Sequence, residues 1–477
     1  MSRRLLCTAL ALCPPLGYAV LPPAAPAEEV VYVVNGYCHD TPQPEWSTVM
    51  MLRGSDLEIL RTLELPAKDA HSIAATPDGS QLWVTCSNGY RTFVVDAESF
   101  EVVHEYDYAP AGIRPMGVAV EPDGLEAFIG LRDSFTCMRY DTATYELLTP
   151  DTSTGIEPAF MLFTPDGTRV CVSDMYTTVR VFRTADLVPQ RTYTFDTAAM
   201  GLGEAAVSPD GNVLYVCNMG RNRIERVMLT LPWMPLPPLS TMPYIKPRGI
   251  AISPDGNYLF IGHYMGTDSK VTMWSLASWT LCAMADIPIN GRRVVANDDC
   301  NRIYVTEHTD DKCCAYRVDT AGESMFIDAI ADLNAIPGHK ASPIGIVVGD
   351  WEPPPIDLTA DKTTFATTDR ISVTADVLAI PTPCYPFVRI LLADGSTLYY
   401  ESGRGFTNSP TPYLGFAAGT VMTTALIPNY PALTADFSGI IPGTYVLEGG
   451  AVDATKTTSA SNLIYFGRVD RETLTVR

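Results

Sequence analysis

Residues 250–262 read IAISPDGNYLFIG. An apolar run, alternate residues facing one way, meets Pro254-Asp255-Gly256, and a second run returns toward Gly262. Proline presets φ for a turn, aspartate caps the turn backbone and glycine takes positive φ. The stretch therefore reads as a β-hairpin. The same turn recurs around Asp78, Asp123, Asp166, Asp210 and Asp255, and in a degraded copy, Asn297-Asp298-Asp299-Cys300. Successive aspartates stand 43 to 45 residues apart. That period is one four-stranded propeller blade. Each aspartate has a sufficient role in its own turn, so the set is not read as a cation site.

After each turn comes a β-rich run: QLWVTC, EAFIGL, RVCVSD, VLYVCN, YLFIGH and RIYVTE. A third and a fourth strand follow, as in RTFVVDAESFEVVHEY at 91–106. Six copies have an inner strand before the turn. Residues 30–66 open with VVYVVNG, a second strand lacking its inner neighbour, while SPIGIVVGD at 342–350 is an inner strand with nothing after it. The two ends are expected to complete one blade between them, leaving no open seam in the ring. The arithmetic predicts a seven-bladed β-propeller over residues 29–351. These blades resemble the YVTN-type repeats of secreted and surface-layer propellers. The resemblance implies a superfamily that includes lactonases, redox-enzyme subunits and adhesion or scaffold proteins, and fold alone does not choose among them.

Residues 352–355 (EPPP) read as a stiff linker. Beyond them ISVTADVLAI, FVRILLADGSTLYY, TYVLEGGAVD and ETLTVR are strand runs separated by turn residues. Residues 356–477 resemble the immunoglobulin-like β-sandwich modules attached to bacterial surface proteins, though without the Cys…Trp…Cys core pattern. The expected class is thus all-β: a seven-bladed β-propeller followed by a β-sandwich domain.

The N-terminus reads as an export signal over residues 1–27. Arg3 and Arg4 precede the apolar run Leu5–Leu12, and Ala25-Pro26-Ala27 offers a cleavage site. Pro14 and Pro15 interrupt the run, which argues against a spanning helix. Cys13 is a weaker lipidation candidate, because Leu12 before it is bulky. The expected location is periplasmic, extracellular or cell-surface. Cleavage leaves ten cysteines, an even number, without metal-type or redox-type spacing. Adjacent Cys313 and Cys314 are expected to point to opposite faces of a strand rather than to form a vicinal disulfide. A net charge of −21 excludes nucleic acid and anionic membrane as partners.

Two loop sets are expected at one mouth of the propeller channel. Seven residues before each turn aspartate, and on the closing strand, stand His71, Met116, Ala159, Gly203, Arg248, Arg292 and Ile344. Second strands end near Asn35, Asp174, Asn218, His263, Glu307 and His308. His71, His263 and His308 are candidate metal ligands through imidazole nitrogen. Glu307 or His308 is a candidate general base, with Arg248 and Arg292 stabilising an anion or an oxyanion. The polar residues of Arg248, Arg292, His71, Asn35, Asp174, Asn218 and His263 are candidate ligand contacts. Hydrogen bonding to backbone or water is the plainer role for such histidines.

No nucleophile elbow, P-loop, zinc-protease pair or dinucleotide fingerprint occurs, and the sequence names no cofactor. Loop residues 36–48 present Tyr37 and Trp46, and the proline-rich stretch 231–243 presents Trp233; both are candidate partner surfaces. The leading expectation is an exported protein that works by binding, with a protein or cell-surface partner and room for a small-molecule ligand. An exported lactonase-like hydrolase and an accessory subunit of a periplasmic redox complex are the alternatives.

Overall fold

The computed structural model describes residues 28–351, except 37–44, 199, 266–267, 289, 308–310 and 334–342, and beyond residue 351 the β-strands alone. The segment read as an export signal, residues 1–27 including Cys13, lies outside the described residues. Among those described there is no α-helix.

Residues Glu28–Trp351 form a compact unit of seven four-stranded antiparallel sheets. Blade 1 joins the two ends of this unit. Its innermost strand, Pro343–Trp351, pairs with Glu28–Asn35 from Glu28↔Trp351 to Asn35↔Pro343. The inner strands of blades 2 to 7 are Ala70–Ala75, Pro115–Val120, Phe160–Phe163, Leu202–Val207, Pro247–Ile252 and Gly291–Ala296. Each touches the next, and the last touches Pro343–Trp351, so the ring is closed. Side chains reinforce the seam. Asn297 Nδ2 of blade 7 donates to Glu29 Oε2 at 2.7 Å, and the Tyr304 hydroxyl donates to Gly54 O at 2.9 Å.

The turn chemistry explains the regular blades. In Ser253-Pro254-Asp255-Gly256, Asp255 Oδ1 accepts Asn257 N at 3.0 Å and the Ser253 hydroxyl, while Tyr258 N donates to Ser253 Oγ at 2.9 Å. Thr76, Thr164 and Ser208 donate likewise to Asp78, Asp166 and Asp210. The Ser208 hydroxyl, with Asn212, holds the Asp210 carboxyl below the usual range. Gly256 sits at φ +72°. Gly256→Ala should cost about 1 kcal/mol, because a Cβ is disfavoured in the left-handed region; a chemical-denaturation midpoint would show it. Cys300 occupies the equivalent turn place of blade 7 at φ 51°.

Apolar wedges fill the spaces between neighbouring blades. Phe260, Val271 and Met273 of blade 6 pack with Ile303, Val305 and Tyr316 of blade 7. Burying an aromatic or aliphatic side chain of this kind stabilises by about 1.5–3 kcal/mol. Cys313 and Cys314 are free and buried, the first in the cluster shared with blade 1 and the second in the cluster shared with blade 6. Cys86, Cys137, Cys171, Cys217, Cys282 and Cys300 are free thiols as well. The outermost strand of every blade carries a register break against the third strand, as at Val95↔Val102 in blade 2 and Tyr316↔Ile327 in blade 7.

Beyond residue 351 the strands form two further sheets. One holds Ile356–Ala360, Arg370–Val377 and Ile427–Asp436; the other holds six strands, among them Cys384–Leu391, Gly443–Asp453 and Tyr465–Val476.

Candidate functional site at the channel mouth

A second irregularity shapes the channel. In six blades the inner strand bulges at its start, where Ile344, His71, Met116, Gly203, Arg248 and Arg292 are left out of the ladder. These are the positions aligned seven residues before the turn; only Ala159 of blade 4 stands at no such bulge. A bulge turns side chains away from strict alternation. Small residues beside the bulges let inner strands approach: a Cβ on Gly203 would stand 2.5 Å from Arg248 O, and one on Gly249 2.5 Å from Arg292 O.

The bulges of blades 5 and 7 put Glu204 and Arg293 into the channel. Arg293 Nε donates to Glu204 Oε1 at 2.7 Å, and its guanidinium lies 5.5 Å from the Phe160 ring of blade 4. In blade 6 between them, Gly249 lets its strand lie against the Arg292–Val294 backbone. Burial raises the Glu204 carboxyl above its ordinary range, against the pull of Arg293, Arg292 and Arg248. Arg248 stacks over Tyr264 at 5.0 Å. His71 is driven well below its ordinary pKa, first by burial and then by Arg292, Arg293 and Arg132. Its Nδ1 is buried without a hydrogen-bond partner. Arg132 also pairs with Glu157 at 2.5 Å, and Arg114 with Asp133 at 2.6 Å. Asp69 stands in the same field, its carboxyl raised by burial and drawn down by Arg292, Arg114 and Arg132.

The residues ending the second strands have a different setting. Asn35 Nδ2 donates to Thr48 Oγ1 at 3.1 Å, and Asn218 Nδ2 donates to Glu225 Oε1 at 2.6 Å. Cys314 Sγ donates to Glu307 Oε1 at 3.1 Å. His263 bonds Ile245 O at 3.1 Å and Thr272 Oγ1 at 2.9 Å. All four are fully buried, and their partners named here are in their own blades or the adjoining loop. Asp174 Oδ1 accepts the amides of Tyr176, Thr177 and Thr178 and so shapes its loop. His308 and Tyr37 lie outside the described residues. Among the described residues no three His, Cys, Asp or Glu side chains are grouped as a metal ion would require. Trp46 is half-buried against the cluster between blades 1 and 7, and Trp233 packs beneath Arg169 at 5.5 Å. Leu231, Met234 and Met242 are the exposed large apolar residues of that stretch.

Burial lowers the His263 pKa to about 4. Its unfolded imidazole titrates near 6.5, so its contribution is complete above that pH and is lost as pH falls toward 4. The loss should approach about 3 kcal/mol at the acid end. Comparing denaturation midpoints of the wild type and His263→Gln across this range isolates it.

Glu204, Arg293, Arg132, Asp69 and Phe160 are absent from the sequence-derived set. The doublet Arg292-Arg293 is the one signal that would have found part of it, since a bulge brings two consecutive residues inward.

No protein-family model matches the chain, and no curated protein matches it. Solved structures do resemble it. A hypothetical selenium-binding protein from Sulfolobus tokodaii aligns at TM-score 0.56 and 12% identity, over 69% of this chain and 95% of that one. A functionally unknown protein from Desulfotomaculum acetoxidans aligns at 0.51 and 16%, over 67% and 99%. Hydrazine synthase from Kuenenia stuttgartiensis aligns at 0.43 and 18%, over 52% and 77%. At such identities the likeness shows the propeller fold alone.

Proposed function

We propose that this chain is an exported recognition protein of the YVTN-repeat kind, whose channel mouth takes a small anionic ligand. The propeller is the rigid platform. The C-terminal module, read as an immunoglobulin-like sandwich, serves as its spacer or docking piece at the cell envelope. One observation carries the reading. In a chain of net charge −21, Arg292, Arg293 and Arg132 add to burial in holding His71 neutral, so a local positive field lies within an acidic protein. An acidic surface repels anions elsewhere and leaves that mouth as the place where they gather. Arginine suits the task because its planar fork matches carboxylate or phosphate.

Titrating the purified protein calorimetrically with succinate, citrate and inorganic phosphate tests this. At least one should bind, and Arg248→Ala or Arg292→Ala should weaken it by about tenfold or more. No binding by any of the three, or equal binding by both variants, would sink the proposal.

A further inference from the structure

A cleft of about 770 Å³ opens between blades 3 and 4, beside the P-D-G turns and away from the channel mouth. Its volume is that of a site for a small organic molecule. Glu121, Asp123 and Glu126 line it from blade 3; Asp166, Thr168 and Thr184 line it from blade 4.

Two departures from the blade pattern meet there. The residue two places before the turn aspartate is a serine or threonine in blades 2, 4, 5 and 6, and its hydroxyl donates to that aspartate. In blade 3 it is Glu121, which sets a second carboxyl against Asp123. The second departure is Thr184. Its counterpart in blade 3, Thr142, spends its hydroxyl on Gly124 O at 2.6 Å. Thr184 is only 4% exposed, yet its hydroxyl has no hydrogen-bond partner.

The cations of the cleft are already engaged. Arg139 Nε donates to Glu126 Oε2 at 2.7 Å and Nη1 to Ala185 O at 2.9 Å. Arg183 pairs with Asp186. We propose that this cleft binds an organic cation, an ammonium group held by Glu121 and Asp123 with the Thr184 hydroxyl as a further acceptor. A bare metal ion fits less well, because the described carboxylates are not grouped for metal coordination. The walls of Pro122 and Pro165 suit the methylene body of an alkyl amine.

Binding should carry a pH signature. Burial, then Glu126 and Asp123, push the Glu121 carboxyl up to about 7, while Arg139 opposes them. Asp166 and Arg183 face the cleft from blade 4. An ammonium requires Glu121 ionised, so affinity should rise about tenfold from about pH 6 to about pH 8.

The test is calorimetric titration of the full chain with 1,4-diaminobutane at both pH values, with calcium chloride as a separate titrant. Glu121→Ser restores the hydroxyl of blades 2, 4, 5 and 6, so it should fold normally, and it should weaken diamine binding at least about tenfold and abolish the pH dependence. Thr184→Val should weaken it about threefold or more. Failure of the wild type to bind the diamine, binding of calcium in its place, or unchanged affinity in both variants would overturn the proposal.

Discussion

Replacing Glu204 with alanine should lower the stability of the propeller by about 4 kcal/mol. The reason is what the change leaves behind. The Arg293 side chain is only 12% exposed beside Phe160, and its Nε has Glu204 Oε1 as its carboxylate. Removing one member of a buried pair strands the other charge, which costs about 3–5 kcal/mol. Removing both is different: Glu204→Met combined with Arg293→Met should recover most of the loss, because a hydrophobic pair of similar size avoids desolvating either charge. Denaturant midpoints of the single and double variants decide it. If Glu204→Ala costs no more than an exposed substitution, the bridge across the channel contributes little. The same variants separate folding from binding, since the double variant should fold while changing the field that His71 and Arg292 share.

Ile346→Asp should be more damaging, at about 5 kcal/mol or more. Ile346 lies opposite Val33 in the closing strand and is 3% exposed, in a cluster with Val31, Met50 and Tyr304. An aspartate there is a buried charge without a prepared partner, a mechanism behind the largest single-site losses. The loss should also have a direction. Amide exchange should quicken first over 343–351 and 28–35, then in blades 1 and 7, while blades 3 to 5 keep their protection longer. Uniform acceleration around the ring would mean that the seam is no weaker than any other boundary between blades.

Much of the fold could be read from the sequence because one turn does the punctuating. The Ser/Thr-Pro-Asp-Gly pattern fixes where inner strands end, and its absence near both ends of the propeller points to the shared blade. The mouth was only partly legible. Counting seven residues back from each turn aspartate selects one residue per blade, so it found Arg248 and Arg292 but passed over Glu204 and Arg293, which follow the bulge positions Gly203 and Arg292. The count is equally silent on how the last residue of a second strand is used. His263 and Glu307 meet Thr272 and Cys314 on the adjacent strand, contacts set by strand register rather than by any local motif. Glu121 was in plain view as the one carboxylate in a column otherwise made of Thr76, Thr164, Ser208, Ser253 and Asn297. Its meaning depended on Thr184, which is 63 positions away in the chain and becomes its neighbour only across a boundary between blades.

The register breaks in the outermost strands bear on how molecules behave when crowded. The rim exposes Phe326, Ile327, Ile330 and Met284, and greasy edges of this kind usually zip together. Each outer ladder is interrupted midway, so two rims that meet can match only a few successive amide pairs before falling out of phase. The cohesion of the rim is thus kept short-ranged, and the chain can carry apolar side chains outward without growing fibres.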